Sequence, residues 1–276
     1  MKNAEPVENK PLRVTKRSIM GMKGLNKKIT CLTAYDFLFA SLFDSAGVDL
    51  LLVGDSVSMV YQGNETTLPV TVDEMIYHAK SVVRGVNRAM VIVDMPFMSY
   101  QVSTEDAFRN AGRIMKETLA GGVKIEGGVR VAKAVKEISQ AGIPVMGHLG
   151  LTPQSIHQFG GYKPRGGTPD EATEIIEGAQ ALEDAGAFAV VLEKIPVGLA
   201  DKITKLISIP TIGIGAGIHC DGQILVSHDM LGLLENFNPR FVRKYDQLAS
   251  RIRNATIKYV SDVQKNAFPS AEESYS

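Results

Sequence analysis

Four short apolar runs in this chain each lead into a carboxylate: Leu50 to Gly54 before Asp55, Met90 to Val93 before Asp94, Val123 to Ile125 before Glu126, and Phe188 to Leu192 before Glu193. Runs of this length, aliphatic or β-branched and bounded by glycine or polar residues, read as buried parallel strands. A parallel barrel delivers the end of every strand to one face, and that face carries the active site. The four acids are therefore expected to converge. Buried acids brought together repel one another unless a cation is present, so the pattern points to a hard divalent metal held by oxygens.

The rest of the chain repeats the same unit. Strands are expected near 29–34, 50–54, 90–94, 122–126, 143–147, 188–193, 210–214 and 223–227, with helical periodicity at 37–46, 72–86, 104–120, 129–141, 169–185 and 197–207. Alternation of this kind makes a parallel sheet. Four helices run into Ala-Gly pairs, at Gly47, Gly121, Gly142 and Gly186, where glycine takes the left-handed conformation and turns the chain into the next strand. Thr104 with Glu105 and Asp106, and Thr168 with Pro169, Asp170 and Glu171, carry helix-start chemistry. The expected fold is α/β, a (β/α)8 TIM barrel, and 276 residues suit one such domain of roughly 250 residues.

Within that frame, residues 1–17 read as a polar N-terminal arm, 18–265 as the barrel with its C-terminal helix, and 266–276 as a polar tail. Gly215 to Gly222 is too short for a crossover helix and should be a loop or single turn. The stretch 150–167 lacks periodicity beyond a short helix at 152–158, and long loops at this face serve binding or closure. From Pro239 onward, Phe241, Val242, Tyr245, Leu248, Ile252, Ala255 and Tyr259 recur at helical spacing, giving an amphipathic helix that should pack on the barrel or on a neighbouring subunit.

Composition narrows the partner. Lys plus Arg and Asp plus Glu number 30 each, so no global field favours nucleic acid or an anionic membrane, and a small molecule is the expected ligand. Cys31 and Cys220 have no disulfide or metal spacing and read as reduced thiols of a cytoplasmic protein. No apolar run approaches the roughly 18 residues of a membrane span, and the N-terminus lacks a secretory core.

Several strings carry a resemblance: TAYD at 33–36, VGDS at 53–56, TTLPVT at 66–71, DMPFMSY at 94–100, VKIEGG at 123–128, GHLGLTPQ at 147–154, and IGIGAG with CDGQILVSHD at 212–229. In this order they resemble the ketopantoate hydroxymethyltransferases. The resemblance implies a barrel enzyme of pantothenate synthesis that moves a one-carbon unit from 5,10-methylenetetrahydrofolate to 3-methyl-2-oxobutanoate through a magnesium-stabilised enolate. It also implies bound Mg2+ and a homo-oligomer, a decamer in family members. Carried over by position, the metal ligands fall on Asp55, Asp94 and Glu126, the acids already selected by strand-end placement.

Other roles follow the same positions. Glu193 resembles the proton acceptor that would take the C3 hydrogen; its alternative is an ion pair with Lys194, although strand alternation sends those two side chains to opposite faces. Lys124 points inward with Glu126 and matches a lysine that contacts the oxo acid, the alternative being a salt bridge to the acids. Ser56 can hold the substrate carboxylate or cap a helix. His148 resembles a substrate-contacting residue, with a structural hydrogen bond as its alternative. By the same resemblance Asp55 and Asp94 are expected to face the substrate as well as the metal.

Two rival readings remain open at this point. A magnesium-dependent lyase or mutase of the isocitrate lyase and phosphoenolpyruvate mutase type shares strand-end acids, but those lyases use a loop cysteine and residues 150–167 contain none. A non-catalytic scaffold would have lost the acids, and all four are present. The glycine run at 213–217 lacks a dinucleotide fingerprint and receives no ligand.

Overall fold

Eight parallel strands close into a barrel in chain order, each paired with its sequence neighbours and β1 with β8. They are β1 (Ile29–Thr33), β2 (Leu50–Val53), β3 (Met90–Asp94), β4 (Gly122–Glu126), β5 (Val145–Gly150), β6 (Ala189–Glu193), β7 (Thr211–Ile214) and β8 (Gly222–Leu225). This computed structural model describes residues 12–275. All eight expected strands are present. The fifth begins two residues late because Pro144 has no N–H for the ladder, although its carbonyl still accepts from Val123.

Helices Phe37–Ser45, Val72–Gly85, Thr104–Thr118, Ala132–Gln140, Pro169–Asp184 and Val197–Leu206 connect successive strands, and the β7–β8 connection contains no helix. Two local expectations shift. The helix over 104–118 is capped by Ser103, whose Oγ accepts from the Asp106 amide at 3.0 Å, rather than by Thr104. At its other end Leu119 takes the left-handed conformation, with φ +61°, in place of Gly121. Gly121 is instead held by packing, since a Cβ there would lie 2.9 Å from Met90 Cγ.

Residues 1–11 of the expected arm lie outside the described residues, and Lys16 and Arg17 already belong to a helix, Lys16–Gly24, that periodicity did not signal. The sequence signal is weak because KRSIMGMKG carries two glycines and only a short apolar face. Its role is clear from burial. Ile19 and Met22, with Val14 before them, join Ile29, Cys31, Leu50, Leu52, Met90, Ile92, Met146, Phe188 and Ile212 in one core cluster. The chain thus enters the barrel core before its first strand begins, and burying a side chain the size of Ile19 is worth about 1.5–3 kcal/mol.

By its contacts the chain divides into two compact units, residues 1–225 and 226–276. The second contains the helix Leu248–Gln264, none of whose residues is buried. Helix was expected from Pro239, but 239–247 turns back instead. The Tyr245 amide donates to the Met230 carbonyl, Leu248 to Leu231, and the Lys244 ammonium to the carbonyls of Leu234 and Glu235. Those bonds replace the i→i−4 ladder that a longer helix would need.

Candidate active site

Asp94 and Glu126 end β3 and β4, Glu193 ends β6, and Asp55 follows β2 by two residues, so all four reach the same mouth of the barrel. Asp55, Asp94 and Glu126 are buried, while the Glu193 side chain keeps 15% exposure. The ends of β2 and β3 are tied directly. The Asp55 amide donates to Asp94 Oδ2 at 3.0 Å. From inside β4, Lys124 reaches Asp94 Oδ1 at 3.0 Å and lies 3.9 Å from Glu126 Oε1, as expected from its place two residues before Glu126 on one strand face. Lys124 is therefore paired with the acids, and its burial beside them makes both of the roles expected for it compatible.

The electrostatic balance is acidic. Burial pushes the Asp55 carboxyl well above the usual carboxylate range, and the charges of Asp94 and Glu126 push it further, against the pull of Lys124 and Gln154. Burial also raises Asp94, with Lys124 acting the other way. Glu126 is held low despite its burial, because His148, Lys124 and the Gln154 amide favour its charged form. Burial alone would depress Lys124, but Asp94, Glu126 and Asp55 together raise it above an ordinary lysine.

His148 lies in β5 between two carboxylates. Its Nδ1 is 3.2 Å from Glu126 Oε1 and 3.1 Å from Lys124 Nζ, and its Nε2 is 3.2 Å from Glu193 Oε2. Burial and Lys124 pull its pKa down, yet Glu126 and Glu193 outweigh them and leave it at about 9. Next to Glu193, Lys194 turns away with φ +46° and donates from Nζ to the Tyr162 carbonyl at 3.1 Å. The end of β5 needs Gly150, at φ +90°, because a Cβ there would collide with the Glu193 carbonyl oxygen.

The segment 150–167 contains a single turn Pro153–Ser155 and a short helix Ile156–Phe159. It carries Tyr162 to Met59, beyond β2, with Oη 4.0 Å from Sδ, while the Tyr162 carbonyl meets Lys194 beyond β6. Burial and the charges of Asp55 and Glu193 raise the Tyr162 hydroxyl pKa. Ser56 precedes the short helix Val57–Val60 but makes no side-chain cap bond; its Oγ is 2.8 Å from Tyr35 Oη. Tyr35 in turn offers its carbonyl to His78 Nδ1 at 2.8 Å.

Tyr35, Tyr100, Gln101 and Gln154 were missed by the residue-by-residue chemistry. Tyr35, Tyr100 and Gln154 lie within the quoted strings, and membership of TAYD, DMPFMSY and GHLGLTPQ was their only sequence signal. Gln154 is the most connected, linking Asp55, Glu126, Met95, Tyr100 and Gln101.

Among the described residues no group of three or more His, Cys, Asp or Glu side chains is arranged to hold a metal unaided. The donors present nevertheless suit a hard cation. Asp94 Oδ1 and Glu126 Oε1 are buried and, although ion-paired, receive no well-aligned hydrogen bond. The Asp55, Asp94 and Glu126 carboxylates offer oxygens, and magnesium takes few carboxylates while filling its remaining positions with water and substrate. Cys31 and Cys220 are buried free thiols, with Cys31 inside β1 and Cys220 just before β8.

The family model described as ketopantoate hydroxymethyltransferase matches residues 13–271. A 3-methyl-2-oxobutanoate hydroxymethyltransferase of Chlorobaculum tepidum is 59% identical over 275 residues, covering 98% of this chain and 99% of the relative. One from Syntrophus aciditrophicus is 53% identical over 268 residues, covering 97% and 98%. Among solved structures, phosphonopyruvate hydrolase in complex with oxalate and Mg2+ aligns with TM-score 0.60 at 12% identity over 94% of this chain and 93% of that one. A 2,3-dimethylmalate lyase of the PEP mutase/isocitrate lyase superfamily aligns with TM-score 0.58 at 18% identity over 92% and 100%. The last two share the fold alone, whereas the sequence relatives match almost end to end at more than half of all positions. On that measure the chain belongs to the ketopantoate hydroxymethyltransferase family.

Proposed function

We propose that this hydroxymethyltransferase makes ketopantoate from 3-methyl-2-oxobutanoate and 5,10-methylenetetrahydrofolate, with Glu193 as the base and with Asp55, Asp94 and Glu126 holding Mg2+. One observation carries the reading. The His148 ring stands between Glu193 and Glu126, so one carboxylate is kept apart from the other three acids at the same barrel mouth. A carboxylate set apart from an acid cluster divides the work into proton removal and cation binding.

The oxo acid enters with its carboxylate toward Ser56 and Lys124 and its C3 hydrogen toward Glu193. A bound Mg2+ supplies Lewis-acid polarisation of the ketone, which lowers the barrier to losing that hydrogen. Glu193 takes the proton, and His148 holds Glu193 in place from Nε2. The C3 electron pair then forms a bond to the one-carbon unit as its two bonds to folate nitrogens break; water supplies the hydroxyl, and water's other hydrogen and the proton taken by Glu193 restore the two N–H groups of the departing tetrahydrofolate. Lys124, buried beside Asp94, keeps a positive charge facing the substrate oxygens throughout.

The protein is further proposed to work in the cytoplasm as a homo-oligomer, a decamer by family resemblance. Buried reduced thiols fit that compartment, and apolar side chains left exposed at Leu38, Leu42 and Tyr77 fit assembly. No helix among the described residues is long and apolar enough to cross a membrane.

The test is product formation. Purified protein should yield ketopantoate by mass spectrometry only when Mg2+, 3-methyl-2-oxobutanoate and methylenetetrahydrofolate are all supplied. Absence of ketopantoate from folded, metal-loaded protein overturns the proposal.

A further inference from the structure

Gln154 is buried in the turn after β5 and uses its whole amide. Nε2 donates to Asp55 Oδ2 at 2.9 Å and to the Met95 carbonyl at 3.0 Å. Oε1 accepts from Tyr100 Oη at 2.7 Å and from Gln101 Nε2 at 3.0 Å. Its backbone N–H donates to Glu126 Oε2 at 3.0 Å. An amide has two donors and one oxygen with two lone pairs, so nothing is left to spare. Its orientation is also set: turned over, the amide would put its oxygen against the Asp55 carboxylate and the Met95 carbonyl, and its NH2 against the Gln101 NH2.

One residue therefore grips one oxygen of Asp55, beyond β2, and one oxygen of Glu126, at the end of β4, while anchored to the segment after β3. We propose that Gln154 is a positioning residue that fixes the spacing and orientation of Asp55 and Glu126 for a divalent cation. It is not itself a ligand, because its only amide oxygen already accepts two hydrogen bonds. This inference rests on the reading of Asp55 and Glu126 as metal-holding residues. Partners that orient metal ligands from behind typically contribute about 10–100-fold in metal affinity.

The experiment uses Mn2+ as the probe, followed by electron paramagnetic resonance with 3-methyl-2-oxobutanoate present, on the full chain. Gln154→Leu keeps the bulk and removes the Nε2 donors to Asp55 Oδ2 and the Met95 carbonyl while the backbone bond to Glu126 stays; it should weaken Mn2+ binding about 10–100-fold and change the fine structure of the bound spectrum. Gln154→Met, of similar length but without an Nε2 donor, should do the same. Tyr100→Phe releases the amide oxygen but also removes the hydroxyl's contacts with the Glu126 backbone N–H at 3.2 Å and carbonyl at 3.3 Å, and should weaken binding by a smaller factor. If Gln154→Leu fails to fold, Gln154→Met decides the matter. Asp55→Asn separates the two levels: Mn2+ affinity unchanged there removes the metal reading itself. Loss in Asp55→Asn with wild-type affinity and spectrum in the folded Gln154 and Tyr100 variants overturns the positioning role alone.

Discussion

His148 Nε2 lies 3.2 Å from Glu193 Oε2, and the other ring nitrogen faces Glu126 at the same distance. The imidazole thereby orients the proposed base from one side and holds it away from the acid cluster on the other. With Mg2+ but no folate, the wild-type protein should exchange the C3 hydrogen of 3-methyl-2-oxobutanoate with deuterated water. Glu193→Gln should still bind the oxo acid and exchange at least about 100-fold more slowly, the usual contribution of a placed general base. Proton NMR follows the signal directly. Undiminished exchange in that variant moves the base to another residue, with His148 next.

The acid cluster should show opposite effects on metal binding and on stability. Asp55 is strained by burial and by the neighbouring charges of Asp94 and Glu126, so Asp55→Asn removes a repulsion as well as the proposed ligand. The metal-free variant should melt no lower than wild type, and its Mg2+ affinity in calorimetric titration with 3-methyl-2-oxobutanoate should drop by more than the about 10–100-fold expected for losing an outer partner. Asp94→Asn should also weaken the metal. Wild-type affinity in both variants would remove these residues from the metal site.

A pH-dependent contribution to stability is expected at Asp49, far from the chemistry at the start of β2. It accepts hydrogen bonds from Thr30 and pairs with Arg88 at 2.6 Å. Burial works to raise its pKa, but Thr30 and Arg88 together hold it below the ordinary 3.8. A depressed folded pKa means the stabilisation is present above about 3.8 and is lost as pH falls through the lower folded value. Asp49→Asn should therefore cost about 1.5–3 kcal/mol at neutral pH, the worth of a hydrogen bond to a charged group. Denaturant titrations of wild type and variant should begin to converge as pH falls below 3.8 and meet only below the lower folded value. A gap independent of pH would show that the charge of Asp49 is not what matters.

Ile19 tests the entry of the first helix into the barrel core. It is fully buried in the cluster that fills the barrel, so Ile19→Ala should lose about 2–5 kcal/mol, the range for truncating a core aliphatic side chain. Chemical denaturation reads the change. A loss under about 0.5 kcal/mol, typical of a surface substitution, would mean that the helix is an ornament rather than part of the core.

Local sequence determined the barrel and the acids because both are written at short range. A strand needs only a few consecutive apolar residues, and its end puts Asp94, Glu126 and Glu193 at the mouth wherever the sheet closes. The alternation within β4 likewise sends Lys124 and Glu126 inward together. Local pattern failed where another segment competes for the same backbone groups. The apolar spacing at 239–247 looks helical, yet Tyr245 and Leu248 bond to Met230 and Leu231. It also failed at Lys16–Gly24, whose helix is stabilised by burying Ile19 and Met22 rather than by propensity. The partners of Gln154 were out of reach for the same reason: Glu126, Tyr100 and Asp55 are 28, 54 and 99 residues away. No periodicity spans such distances, so only closure of the barrel could decide that one buried amide would join two carboxylates from different strand ends.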